Sequence, residues 1–140
     1  VYSHCVFIQC WCPMQIPIFE SLVACGFPSP AQDHIERRLS LDAELIRYPE
    51  STYFLRASGD SMKDAGIFDG DLLVVESHLT ARHGEIVVAE YDGEFTCKYL
   101  QITPTKALIP ANSQFPAIPI NDDTDVQIFG VVRYAVHTCR

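Results

Sequence analysis

Two side chains in this sequence have the types needed for a hydroxyl nucleophile and its base. Ser61 stands in Ala57-Ser58-Gly59-Asp60-Ser61-Met62-Lys63-Asp64, directly after an apolar run that reads as a strand. The stretch Ser61–Ala65 can make one helical turn, with Gly66 ending it. A serine at such a junction lies beside free backbone N–H groups, here those of Asp60 and Ser61, that can stabilise an oxyanion. Taken alone, Ser61 reads as an ordinary cap. Lys98, in Glu94-Phe95-Thr96-Cys97-Lys98-Tyr99-Leu100, is one of only three lysines, so it is not part of a solvating charged surface. On a strand, Phe95, Cys97 and Tyr99 share one face, and Lys98 shares the other with Thr96 and Leu100. Taken alone, it reads as a lysine whose stem lies over the sheet while its amine reaches water.

Together the two make a mechanism. A neutral lysine amine takes the serine proton, and burial is what makes the amine neutral. An unperturbed lysine, with a pKa of about 10.4, is neutral in only roughly one molecule in 2,500 at pH 7. The site must therefore be of low dielectric, and Ser61 Oγ must lie within about 2.6–3.2 Å of Lys98 Nζ.

Rival chemistry is weaker. His78 and His83 could serve a Ser-His-Asp arrangement, since triads are set by space rather than order, but both lie in a polar connection. Asp69-Gly70-Asp71, with Asp60 and Asp64 nearby, lacks the spacing and closing Glu of a calcium loop and reads as a turn. His4, Cys5, Cys10 and Cys12 match no standard zinc spacing. No metal or cofactor is expected.

The elements that must position Ser61 and Lys98 are strands. Tyr53–Leu55, Leu72–Val75 and Ile86–Ala89 are short apolar runs bounded by turn residues. Asp92-Gly93 between Glu85–Tyr91 and Glu94–Leu100 is the strongest hairpin signal in the chain. A last strand is expected from about Val126 to His137, with Val126, Ile128, Val132, Tyr134 and Val136 on one face. Ahead of these, a short helix is expected after Asp33, its cap, with Glu36 three residues on. Ile35, Leu39, Leu45 and Ile46 give its apolar stripe, and Tyr48-Pro49 ends it. Residues 1–32, punctuated by Pro13, Pro17, Pro28 and Pro30, read as an arm with little regular structure. The fold class is mostly β: an antiparallel domain with short helices and an extended N-terminal arm.

Bulk composition narrows the partners. At 140 residues there is room for one domain plus an extended segment. The net charge is −8 and the first Lys or Arg is Arg37, so the surface repels phosphate and direct grip on DNA is disfavoured. Gln9, Pro13, Gln15, Pro17 and Glu20 interrupt the apolar stretch 5–25, short of the ~20 clean residues a membrane span needs. A basic signal-peptide start is missing, and a cytoplasmic protein is expected. Four of the six cysteines (Cys5, Cys10, Cys12, Cys25, Cys97, Cys139) sit in the first 25 residues, and reduced thiols are expected.

In order along the chain stand Cys25-Gly26-Phe27-Pro28-Ser29-Pro30, Ala57-Ser58-Gly59-Asp60-Ser61-Met62, Asp69-Gly70-Asp71-Leu72-Leu73, Asp92-Gly93-Glu94-Phe95-Thr96 leading to Lys98, Asn112-Ser113, and Phe129-Gly130-Val131-Val132. This series, from about Phe19 to Arg140, resembles the UmuD/LexA family of self-cleaving Ser–Lys peptidases, which includes phage repressors. The resemblance implies Ser61 as nucleophile and Lys98 as general base, and the interval between them fits the family. It implies a scissile bond at Cys25–Gly26, where glycine lets the backbone press close to the nucleophile. The divisions that follow are an arm, 1–25, removed by cleavage; a linker with a short helix, 26–50; and a peptidase β domain, 51–140. A homodimer, stimulation by the RecA filament on single-stranded DNA, and service to a UmuC-type Y-family polymerase in the SOS response are also implied. The stretch ahead of the cut is too short for a helix-turn-helix unit, which disfavours a repressor. The alternatives are a non-catalytic β-domain regulator of polymerase or filament, and a signal-peptidase-like enzyme, against which the missing anchor counts. Residues 1–18 carry no family motif.

Overall fold

The computed structural model describes residues 14–19, 23 and 35–139. The chain divides into two compact units, Val1–Arg47 and Tyr48–Arg140. In the first, β1 (Ile16–Phe19) pairs antiparallel with β2 (Ile35–Leu39), and a short helix, α1 (Leu41–Leu45), follows. Here the expectations need correction. The segment from Ile35 is a strand and the helix begins only at Leu41, with Ser40 at its N-cap position. Ile35 and Leu39 are four apart, a spacing that fits one helix face and one strand face equally well. A partner strand decides it: Leu39 lies opposite Ile16 and Arg37 opposite Ile18. The arm is likewise not without regular structure, since β1 lies inside it; Pro17 is tolerated because both strands of a two-stranded sheet are edges. The expected cap Asp33, the expected cleavage site Cys25–Gly26 and the His4, Cys5, Cys10, Cys12 group lie outside the described residues.

The second unit opens with a 3₁₀ turn at Pro49–Ser51 and is a seven-stranded antiparallel sheet. Its strands are β3 (Thr52–Arg56), β4 (Leu72–Glu76), β5 (Ile86–Tyr91), β6 (Glu94–Gln101), β7 (Ala107–Ile109), β8 (Ile118–Pro119) and β9 (Val126–Val136). Their spatial order is β3-β4-β9-β5-β6-β7-β8, so the last strand inserts between two earlier ones. The fold class is therefore the expected mostly β, antiparallel one. The β5–β6 hairpin closes through Asp92 and Gly93, both at positive φ (52° and 79°), the conformation an Asp-Gly pair supplies at least cost.

β9 does not present one continuous face. Arg133 is an extra residue where Val74 faces Tyr134 and Val75 faces Val132, and Phe129 is another where Val88 faces Gly130 and Ala89 faces Ile128. Each such bulge shifts the alternation by one residue and bends the strand. Ile128 and Val136 are accordingly exposed, whereas Val131 is buried. Between the bulges Gly130 is required by packing: a Cβ there would stand 2.7 Å from Val75 Cγ1 and 2.9 Å from the Glu76 carbonyl oxygen.

Two apolar clusters form the core. Met62, Ile67, Leu73, Val75 and Val88 make one; Val87, Ala89, Leu100 and Leu108 make the other. The neighbours Val87 and Val88 belong to different clusters, as alternation along a strand demands. Among the described residues no helix is long and apolar enough to cross a membrane.

Candidate active site

Ser61 lies on the connection between β3 and β4, where the chain leaves the sheet and returns. Met62, the residue after it, is buried in the first core cluster and pegs the turn. A 3₁₀ turn, Lys63–Ala65, follows, and Gly66 at φ 82° ends it, one turn as expected but tighter than an α-helix. The turn is braced from two sides. Gly70 N–H donates to the Ala57 carbonyl and Ala57 N–H to that of Asp71, both at 2.8 Å, while Gly59 N–H donates to Asp69 Oδ1 at 2.8 Å. From the β7–β8 connection, Ala111 O accepts Asp64 N–H at 2.8 Å, and Asn112 Nδ2 donates to Asp60 O at 2.9 Å. The backbone N–H groups of Asp60 and Ser61 donate no hydrogen bond among the described residues.

Lys98 sits on β6 directly across from Val87 and is 8% exposed. Its Nζ lies 2.9 Å from Ser61 Oγ, 2.7 Å from Thr96 Oγ1 and 3.1 Å from the Cys97 carbonyl oxygen. No carboxylate pairs with it among the described residues. Burial lowers its pKa below the ordinary lysine value, partly offset by the neighbouring Cys97. Burial also pushes the Cys97 thiol up, to about 11, with Lys98 pulling the other way, so that thiol is a protonated apolar group.

An ammonium has three donors, and three oxygens surround this one. A neutral amine has two donors and a lone pair. With Thr96 Oγ1 and Cys97 O accepting its two N–H groups, the lone pair faces Ser61 Oγ, and the pair is then set to move the serine proton. Both side chains border a cleft of about 170 Å³, walled by Leu55, Leu73, Val88 and Phe95.

The other sequence candidates lie elsewhere. His83 Nδ1 accepts Ile102 N–H at 2.9 Å, and His78 packs against Tyr48; neither borders the cleft. Asp69-Gly70-Asp71 is a turn whose carboxylates are spent on protein partners. Asp69 holds Gly59, while Asp71 accepts Phe68 N–H at 2.9 Å and pairs with His137 Nδ1 at 2.6 Å. No group of three metal-ligating side chains occurs among the described residues. Cys97 and Cys139 are free. Sequence reasoning gave no role to Thr96 or Asn112. The signal for Thr96 was its place two residues before Lys98, on the same strand face; Asn112 had none beyond its place in the ordered motifs.

The site thus holds a hydroxyl 2.9 Å from a buried amine that has no carboxylate partner among the described residues, beside a cleft. The chain belongs to the Peptidase S24-like family, whose model matches residues 17–133. It is 48% identical over 124 residues to Protein SamA of Salmonella typhimurium, covering 89% of this chain and 86% of that one. To Protein MucA of Escherichia coli it is 47% identical over 122 residues, covering 86% and 84%. The LexA repressor of Alcanivorax borkumensis is 41% identical over 114 residues, which is 81% of this chain and 55% of the repressor.

Proposed function

We propose that this chain is a self-cleaving SOS protein in which Ser61 attacks its own Cys25–Gly26 bond with Lys98 as general base. The observation that carries the reading is the 2.9 Å approach of Lys98 Nζ to Ser61 Oγ in a chain of this family. Neutral Lys98 takes the Ser61 proton, and the alkoxide adds to the Cys25 carbonyl carbon. The resulting oxyanion is held by the N–H groups of Asp60 and Ser61. On collapse the C–N bond breaks, and the lysine ammonium gives its proton to the departing Gly26 amine. Water, deprotonated by the same lysine, then hydrolyses the Cys25–Ser61 ester. Neither metal nor cofactor takes part.

The processed form, Gly26–Arg140, acts as a cytoplasmic homodimer with a UmuC-type Y-family polymerase in translesion synthesis. The RecA filament on single-stranded DNA stimulates the cut by binding the cleavage-competent conformer more tightly than the open one. With a net charge of −8, the chain meets DNA through these protein partners. The test is intact-mass analysis of the full chain with RecA, an ATP analogue and single-stranded DNA. A fragment beginning at Gly26 is expected. An unchanged mass would leave a non-catalytic regulator as the better reading.

A further inference from the structure

We propose that Asn112 is a positioning residue for the cleavage reaction: it aims the Ser61 N–H at the oxyanion by holding the other end of the same peptide unit. The proposal rests on the Ser61 mechanism above. Asn112 is 5% exposed, and a buried amide is tolerated only when its hydrogen bonds are made. Its Oδ1 accepts Gln114 N–H at 3.0 Å, which shapes its own turn. Its Nδ2 reaches across to the turn of the nucleophile and donates to Asp60 O at 2.9 Å. That oxygen belongs to the Asp60–Ser61 peptide. A trans peptide is planar, with C=O and N–H pointing in opposite directions. Fixing the Asp60 oxygen therefore fixes the direction of the Ser61 N–H, which has no partner among the described residues. A bond accepted at the oxygen also polarises the N–H at the far end and strengthens it as a donor.

The same connection makes two further contacts with the turn, Ala111 O to Asp64 N–H at 2.8 Å and Ala111 N–H to Met62 Sδ at 3.4 Å. Loss of the Asn112 donor leaves both in place, so the turn stays folded while one peptide plane is freed.

Asn112→Asp removes the donor, keeping shape and the Oδ1 acceptor for Gln114 but adding a negative charge, so the uncharged Asn112→Ser is measured beside it. Filament-free self-cleavage of the full chain is followed from about pH 6 to 10, with Ser61→Ala alongside and thermal melting as the folding control. The alkaline plateau should fall about 10- to 100-fold, less than the ~10²–10³ that deletion of an oxyanion donor costs. The midpoint of the pH profile, which reports Lys98, should stay where it is in Asn112→Ser. A plateau equal to the parent's overturns the proposal. So does a shifted midpoint in Asn112→Ser, with or without a lower plateau, because Asn112 would then act through the lysine; in Asn112→Asp the new carboxylate alone raises the lysine pKa. Should Asn112→Asp not fold, Asn112→Ser, too short to reach Asp60, carries both criteria alone. Cleavage that survives Ser61→Ala removes the proposed mechanism itself; a silent Ser61→Ala beside a fully active Asn112→Asp removes only the role of Asn112.

Discussion

Lys98 stands in the middle of a regular strand, paired through β5 and flanked by core residues of the sheet, with Leu100 buried two positions on. Ser61 stands on a connection whose only regular element is a three-residue 3₁₀ turn, and long-range hydrogen bonds from Asp69, Ala111 and Asn112 hold it. Lys98, the proposed base, is thus placed by the same ladder that holds the domain together. Ser61, the proposed nucleophile, is placed by a few hydrogen bonds from outside its own turn. Damage on the strand should register first as stability, and damage on the turn first as rate.

The largest expected effect ignores this difference, because on the proposed mechanism Ser61 and Lys98 act as a unit. Ser61→Ala and Lys98→Ala should each lower self-cleavage by about 10⁴-fold or more, to below detection by mass analysis over hours. Both should fold. Lys98→Ala should lose part of the parent's rise in stability with pH, for a reason of sign. The folded pKa of Lys98 lies below its unfolded value of 10.5, so between the two values the unfolded chain binds more protons. Stability then rises with pH across that window and is lowest beneath it, where the buried charge is a burden the variant lacks. Cleavage by either variant at a near-parental rate would take that residue out of the mechanism.

The pH profile sharpens the base side of the comparison. Only neutral Lys98 can deprotonate Ser61, so the filament-free rate should climb up to about tenfold per pH unit below the depressed folded pKa and level off above it. On the proposal that filament binding completes the burial that discharges the amine, its stimulation should be largest at neutral pH and shrink toward alkaline pH. First-order rates from about pH 6 to 10, with and without filament, decide this. A filament-free rate that is flat or falling, with the fold intact, rules out a neutral lysine as the limiting base.

Leu100→Ala tests the strand without touching the site. Leu100 is 5% exposed in the second core cluster, and truncation should cost about 2–5 kcal/mol in urea unfolding. In the folded fraction the midpoint of the pH profile should not move. A variant with parental stability but slowed cleavage would show that β6 is not the rigid support taken here.

The same contrast explains what the sequence made legible. β3 to β6 were readable because apolar runs and the Asp92-Gly93 turn are local signals, and Lys98 was readable as one of few lysines on such a strand. The turn at Ser61 was readable through Gly66, which supplies a positive φ of 82°. The braces were not. The bond from Asn112 to Asp60 spans 52 positions, and nothing local announces it. β2 was misread for the reason that spacing of four serves two periodicities, and only its partner β1 decides between them. On β9, continuous alternation failed because bulges at Phe129 and Arg133 are set by pairing on both sides, which one strand's own residues do not reveal.

The smallest effect expected is at Asp69, and it bears most directly on whether turn and strand differ. Asp69 is exposed, and its Oδ1 accepts the N–H of Gly59, two residues before the nucleophile. Gly59 has φ 87°, a conformation that glycine adopts readily and that does not by itself fix the direction of the chain toward Ser61. In Asp69→Ala the Gly59 N–H turns to water at an exposed position, so stability should change by about 0.5 kcal/mol or less. The two backbone bonds between Ala57 and the Gly70-Asp71 turn remain. What is lost is alignment, and displacement of a reacting group by a fraction of an ångström is felt in rate long before it is felt in stability. The alkaline plateau should fall by roughly tenfold, short of the ~10²-fold that a full 1 Å misplacement costs. Asp69→Asn keeps an oxygen acceptor in the same place and should cleave close to the parental rate. If Asp69→Asn loses as much as Asp69→Ala, the carboxylate acts by its charge and not as a brace. If Asp69→Ala instead melts several degrees lower and cleaves at the parental rate, the turn is held as the strand is, and the division drawn between the two sides of this site fails.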